Sequence, residues 1–314
     1  MARAIVFSEI GSPDVLRLVE VPDPVPGQGE VVVRIEAAGV NPIDAKQRGG
    51  VRPLPPLTEP RRVGFDGAGT IAQVGPGVSG FAVGDRVAIR DTLGTYAGLL
   101  TVPVAHLAHL LDGVTAAEGA ALATPVGTAY QALRSLRVAK DETLLVHAGS
   151  GAVGQAAIQY AVLWGATVIA TASPERHDRL RELGAVPVAY EDGLEDRVRE
   201  AAPKGVDVAL DCAGTDEAIQ TSLALVADHD RIATIVRGPD AASFGIQAYS
   251  GGSPEPLTEE QLAWRAEALA LTINLLVAGD FSVELGRELP LADAARAHEL
   301  VESHSVQGKV VLIP

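Results

Sequence analysis

The sequence predicts an α/β protein in which a doubly wound parallel sheet is joined to a β-rich domain. Three observations predict it. Short apolar runs alternate with amphipathic segments through the middle of the chain, the run Gly149–Gly154 places Gly-x-Gly-x-x-Gly between an apolar run and a helical segment, and the first third consists of β-branched runs broken by Gly and Pro. Apolar strands alternating with amphipathic helices imply a parallel sheet covered on both faces.

Taken in order, Glu30–Glu36, Thr70–Val74 and Asp85–Ile89 read as strands, with turns at Pro22–Gly29, Pro53–Pro60 and Gly75-Pro76-Gly77. Leu54-Pro55-Pro56-Leu57 reads as a surface loop rather than a recognition motif. Thr115-Ala116-Ala117-Glu118 is a capping-box signature, so a helix is expected to start there and to break before Pro125, with a second helix over Gly127–Leu136. Strands are then expected at Thr143–His147, Thr167–Ala172, Val206–Asp211 and Arg231–Val236. Helices fall between and after them at Val153–Trp164, Pro174–Leu183 and Glu217–Val226. Thr258-Glu259-Glu260-Gln261 caps a long helix to about Ala278, and a short helix Ala292–Glu302 precedes a last strand, Lys309–Ile313. That ending resembles the first third, so residues 118–265 read as an insertion into a β-rich domain made of 1–117 and 266–314.

The chain has 314 residues, 47% hydrophobic and 21% charged, which is globular composition. Its 25 Lys+Arg against 40 Asp+Glu give a net charge of −15, which argues against a nucleic-acid or anionic membrane partner. Cys212 is the single cysteine, so no intramolecular disulfide and no thiolate-rich zinc site can form, and a cytoplasmic setting is expected. The sequence holds no signal-length apolar start and no apolar run long enough to span a bilayer.

Leu144–Gly154 is a strand running into the glycine motif and then a helix. Gly149 is expected to make the tight turn, Gly151 to allow close approach of a pyrophosphate, and Gly154 to bring helix and strand together. The helix N-terminus then offers N–H groups and a positive dipole end to the phosphates. Where the second strand ends, Thr171-Ala172-Ser173-Pro174-Glu175-Arg176 carries no carboxylate at the position that would accept from a ribose 2′-hydroxyl. Ser173 and Arg176 supply a hydroxyl and a cation for a 2′-phosphate, so NADPH is the expected cofactor; Ser173 as a helix cap with Arg176 in solvent is the compatible alternative.

Ala37–Asp44 (Ala-Ala-Gly-Val-Asn-Pro-Ile-Asp), Gly64–Gly69, Val83–Val87, Gly127–Leu133, the glycine motif and the closing Gln307–Pro314 together resemble the medium-chain dehydrogenase/reductase superfamily, in its zinc-free quinone oxidoreductase (zeta-crystallin-like) branch. The resemblance covers nearly the whole chain. It implies a GroES-like β-rich catalytic domain, a Rossmann doubly wound sheet, a cleft between them and a homodimer. It places Asn41 in the cleft and Thr128 near the nicotinamide, and implies cofactor contacts from Gly149, Ser150, Gly151, Ala152, Val153, Gly154, Thr171, Ser173, Arg176, Tyr190, Cys212, Ala213 and Ile235. Zinc-dependent relatives carry Gly-His-Glu where this chain has Gly64-Phe65-Asp66, so no metal site is expected. His106 and His109 read as packed or exposed, and His147 as part of its strand.

Without a metal, hydride transfer to a quinone or to an α,β-unsaturated carbonyl fits, the substrate being small and apolar. Asn41 and Lys46 are the expected catalytic pair. Lys46 stands where many quinone reductases carry tyrosine; it either donates a proton to an enolate or pairs in solvent with Asp44. Cys212 reads as a packing residue rather than a nucleophile, and Phe65, Tyr96 and Phe244–Tyr249 as apolar pocket lining. An enoyl-thioester reductase and a non-enzymatic NADPH sensor are the alternatives. A hydrolase is not, because both neighbours of Ser150 at the elbow positions, Ala148 and Ala152, are alanine.

Overall fold

The computed structural model describes residues 1–314 apart from 53, 250–252 and 254, so the first residue of the expected Pro53–Pro60 loop lies outside the described residues. The chain divides into two compact units: residues 1–124 with 269–314, and residues 125–268.

From the N-terminus come β1 (Ala2–Phe7), β2 (Arg17–Val21), β3 (Glu30–Gly39), α1 (Pro42–Arg48), β4 (Arg61–Arg62), β5 (Asp66–Val74), β6 (Arg86–Ile89), β7 (Leu99–Pro103), β8 (Leu107–His109) and α2 (Ala116–Ala120). There follow α3 (Ala123–Ser135), β9 (Thr143–His147), α4 (Ala152–Leu163), β10 (Thr167–Thr171), α5 (His177–Glu182), β11 (Val186–Val188), α6 (Leu194–Ala201), β12 (Val208–Asp211), α7 (Asp216–Leu225), β13 (Ile232–Thr234), α8 (Gly238–Phe244) and β14 (Gln247–Ala248). The remainder holds α9 (Glu259–Ala278), β15 (Leu285–Pro290), α10 (Ala294–Glu302) and β16 (Lys309–Ile313).

In the first unit the strand order is β15-β16-β3-β5-β6-β8, with β7 also on β3, and β2-β1-β4 form a smaller sheet. Its core gathers Ile5, Phe7, Val31, Val33, Ile71, Ile89 and Leu312, and α10 lays Ala294 and Ala297 on it. Register decides what meets at one end of this sheet. Gly39 of β3 pairs with Asp66 of β5 on one side and with Val311 of β16 on the other, so Asn41, Asp66 and Lys309 converge from three segments. α2 lies flat on the sheet: a Cβ on Gly39 would sit 2.1 Å from the Ala120 carbonyl oxygen, and only glycine permits that approach.

The second unit is one parallel sheet in the order β11-β10-β9-β12-β13-β14, the doubly wound arrangement whose order reverses between β9 and β12. Leu145, Ile169, Ala209 and Ile232 fill its core from successive strands.

Several elements depart from the expectations. The helix capped by Thr115 does end before Pro125, at Ala120, but the next begins at Ala123 rather than Gly127, with Pro125 in its third position, where the missing N–H has no intrahelical partner to lose. The first third is not all β, since α1 follows β3, opened by Asn41 as N-cap with Pro42 at the first position. The unit boundaries fall at 124/125 and 268/269, not at 117/118 and 265/266. The first expected cut would split α2, which packs Gly119 against Ala68 and Leu110 of the first unit. The second lies within α9, where Arg265 donates to Thr128 and Glu267 accepts from Tyr130, tying both to the second unit.

Candidate active site

In the second unit the cradle is built by β9, its turn and α4. The left-handed residue of the turn is Ala148, at φ 54°, and not Gly149. Gly149 is required by packing instead, because a Cβ there would lie 2.7 Å from the Ala170 Cβ of β10. Gly154 holds helix to turn, its absent Cβ standing 2.4 Å from the Ala148 carbonyl oxygen. A Cβ on Gly151 would meet the protein only at 3.5 Å, so this side of the turn stands open. Gly151 is exposed and Ser150, Ala152 and Val153 half-buried, and the first amides of α4 have no intrahelical acceptor. A diphosphate fits this cradle: close-packed behind, open in front, and lined by helix-end donors.

Asp211, buried at the end of β12, fixes the neighbouring loops. Its Oδ1 accepts from Ala213 N at 2.9 Å and Gly214 N at 2.8 Å, and its Oδ2 from the Thr234 hydroxyl of β13 at 2.7 Å. Cys212, Ala213 and Ile235 are thereby held half-buried at the strand ends beside the turn, with Cys212 N donating to the His147 carbonyl at 3.2 Å. Burial, reinforced by Asp211, pushes the Cys212 thiol up, so it stays protonated at neutral pH and is no nucleophile. His147 lies within β9 and contacts Ser222; burial pushes it down to about 4.

Past β10, the Thr171 hydroxyl accepts from Ala148 N at 3.1 Å and braces the turn. The Ser173 hydroxyl caps nothing; it donates to Glu175 at 2.7 Å and holds that carboxyl below its ordinary value. Arg176 is buried rather than in solvent, and Tyr190 is exposed just beyond β11. Thr128 is buried in α3 and accepts from Arg265 at 3.1 Å. Phe244–Tyr249, expected as pocket lining, is the end of α8 and the edge strand β14, and Phe244 packs on the sheet core under the Arg237 guanidinium.

In the first unit Asn41 lies in a buried polar cluster. Its Nδ2 donates to Asp66 Oδ2 at 2.9 Å, and its Oδ1 accepts from Lys309 Nζ at 2.6 Å. Lys309 also donates to the Val40 carbonyl at 2.8 Å, and Asp66 accepts from Thr124 N and its hydroxyl at 2.9 and 2.7 Å. Asp44 turns inward, its Oδ2 accepting from Asn41 N at 2.9 Å and from the Tyr96 hydroxyl at 3.0 Å. Tyr96 is therefore part of this network and not pocket lining; its hydroxyl also stands 3.4 Å from His298 Nε2.

Burial dominates the electrostatics. It pushes Asp44 up to about 7, helped by the Asp66 charge and opposed by the Asn41 and Tyr96 donors. It raises Asp66 too, against the Lys309 charge and the Thr124 bonds, and it lowers Lys309 against the attraction of both carboxylates. His298 is pushed down to about 3 by burial and by Arg48. Lys46 does not pair with Asp44. Two residues apart on α1, the two face different directions, and the charged neighbour of the half-buried Lys46 is Arg52; burial first and Arg52 second lower its pKa. His106 bonds Thr92 at 3.0 Å and His109 stacks on Phe81 at 4.5 Å. Phe65 is half-buried just before β5, and among the described residues no group of three or more His, Cys, Asp or Glu side chains could hold a metal ion.

Comparison with known proteins decides the family. Residues 27–112 match the alcohol dehydrogenase GroES-like domain and residues 152–249 the zinc-binding dehydrogenase model. A quinone oxidoreductase from Pseudomonas aeruginosa is 33% identical over the whole of both chains. This chain belongs to the quinone oxidoreductase branch of the medium-chain dehydrogenase/reductase superfamily. Solved relatives agree: the Escherichia coli quinone oxidoreductase complexed with NADPH superposes with a TM-score of 0.84 at 29% identity, covering all of both chains. A mycobacterial protein complexed with NADPH gives 0.84 at 33%, again over both whole chains.

For this family member, sequence reasoning missed Asp44, Asp66, Tyr96 and Lys309 as one cluster, and Asp211 as the brace of two loops. Asp66 and Lys309 stand inside the quoted motifs, but their meeting is visible only through strand register. Among the described residues no helix is long and apolar enough to cross a membrane.

Proposed function

We propose that this family member is an NADPH-dependent quinone oxidoreductase that also accepts α,β-unsaturated carbonyls, working without a metal. The observation that carries the reading is the β9–turn–α4 cradle, in a chain whose whole length aligns with quinone oxidoreductases, two of its solved relatives being complexed with NADPH. When bound, NADPH supplies the hydride.

The amides of Ser150, Ala152 and Val153 hold the pyrophosphate at the positive end of α4, with Gly151 leaving room for it. Thr171 braces the turn from β10. Ser173, Arg176 and Tyr190, beyond β10 and β11, receive the 2′-phosphate end. Cys212, Ala213 and Ile235 line the nicotinamide side on loops fixed by Asp211, with Thr128 behind. Asn41 orients the reacting carbonyl, and Lys46, its pKa lowered by burial, delivers a proton to it. That lowered pKa is the observation favouring enones, and by the same chemistry enoyl thioesters, beside quinones. The chain acts on a small apolar substrate as a homodimer, as the superfamily resemblance implies, in the cytoplasm, as its single cysteine suggests; light scattering gives its mass in solution.

Oxidation of NADPH and NADH is followed in parallel with a benzoquinone, a naphthoquinone and a cyclic enone, with and without chelator. NADPH is expected to be preferred, and chelation to change nothing. Arg176→Ala should weaken NADPH by about 1.5–3 kcal/mol and leave NADH nearly unchanged. Cofactor binding without turnover of any acceptor would make the chain a sensor. A zinc ion per chain whose removal stops turnover would overturn metal independence.

A further inference from the structure

We propose that Lys309 and Asp66 are positioning residues that lock the Asn41 carboxamide in one of its two orientations; the inference rests on the reading that Asn41 meets the reacting carbonyl. The two ends of a carboxamide are nearly equal in shape and opposite in chemistry, so an asparagine side chain turned by half a revolution exchanges two donors for two acceptor sites without altering its packing. Shape cannot choose between these states, whereas charge can. Lys309 Nζ stands 2.6 Å from Asn41 Oδ1, and Asp66 Oδ2 stands 2.9 Å from Asn41 Nδ2. In the opposite orientation the NH2 group would face an ammonium and the oxygen a carboxylate. Two charge-assisted bonds would become two repulsions.

The clamp is itself fixed. Lys309 is anchored on the Val40 carbonyl at 2.8 Å, and Asp66 on the Thr124 amide and hydroxyl. All three clamp residues are buried, so bulk solvent screens these contacts little. A buried lysine and aspartate serving stability alone would gain most from touching each other directly. Here a neutral amide is inserted between them, and it accepts a bond from one and donates a bond to the other. The clamp uses one amide hydrogen and one oxygen lone pair, leaving the second of each at a fixed direction.

The test compares Lys309→Met/Asp66→Asn with wild type, because the pair of substitutions removes one positive and one negative charge together and leaves the net charge of the cluster unchanged. Asn41→Ala and the triple variant complete the cycle. The first readout needs no cofactor: the side-chain amide resonances of Asn41, assigned by their loss in Asn41→Ala, should be well resolved in the wild type and move toward free-asparagine values in the charge-removed variant. The second is quinone reduction, where kcat/KM should fall by about 10–10²-fold in the charge-removed variant and show no further fall on the Asn41→Ala background. Unmoved amide resonances, or a loss that multiplies with that of Asn41→Ala, would overturn the proposal. Asn41→Ala turning over at the wild-type rate would instead sink the placement of Asn41 at the reacting carbonyl, while the resonances still report whether the clamp holds.

Discussion

A lysine two residues from an aspartate on a short helix reads, in sequence, as half of a surface pair. The structure separates them: Asp44 turns inward to Tyr96 and the Asn41 amide, and Lys46 stays half-buried beside Arg52. An ammonium partly withdrawn from water and near a second cation gives up its proton more readily than one in water, which suits it to protonating an enolate. Lys46→Ala should therefore slow enone reduction by about 10²–10⁴-fold. Quinone reduction should fall only a few-fold, since the hydroquinone anion takes its proton from water. Parallel steady-state rates on the two acceptors check this; equal losses would mean that Lys46 positions substrate, and no loss that it lies outside the site.

At the scale of elements, the strand–turn–helix of the second unit separates packing from binding. A methyl group added at Gly154 would press on the Ala148 carbonyl oxygen and the Gly149 Cα, backbone atoms that cannot swing aside, so Gly154→Ala should cost about 1–3 kcal/mol in denaturant unfolding. Gly151→Ala meets only an ordinary contact within the protein, so it should keep its stability while weakening NADPH by about tenfold or more in a fluorescence titration. The parallel sheet was legible because strands such as Thr143–His147 are buried on both faces and read as continuous apolar runs. β11 and β14, of three and two residues, are too short to carry a period. α1 escaped for the opposite reason: Asp44 and Arg48 are among its buried residues, so its inward face is polar and the amphipathic signal is inverted. The start of α3 was placed too late because Pro125 reads as a boundary although proline is also tolerated in a helix's first turn. The Asn41 cluster was illegible because its members are far apart in sequence and charged residues read as solvated until a register brings them together.

Over the whole molecule, buried titratable groups make the two units respond differently to acid. In the second unit His147 is neutral when folded, at about 4, against an ordinary value of 6.5 when unfolded. The unfolded chain binds the extra proton between these values, so stability falls as pH drops from 6.5 toward 4. In the first unit His298, at about 3, acts in the same sense, but Asp44 opposes it. With its folded value raised to about 7 from 3.8, Asp44 contributes stability that is full below pH 3.8 and lost as pH rises toward 7. Asp66, also raised by burial, acts in the same sense as Asp44, so these carboxyls oppose the acid destabilisation that His298 brings to the first unit. Hydrogen exchange at pH 6.5 and 4.5 should show protection lost in β9, β10 and β12 and kept in β3 and β5, and His147→Gln should remove the difference. A uniform loss across both units would contradict these assignments. The Lys309 ammonium has a further consequence, in the order of synthesis. It leaves the ribosome 268 residues after Asn41, which at translation rates of about 5–20 residues per second is a delay of roughly 10–50 s. Throughout that interval the nascent first unit lacks both β16 and the counter-charge that Asp44 and Asp66 find in Lys309, while residues 125–268 are already all made. The part of the chain that is made first is therefore the part that is finished last.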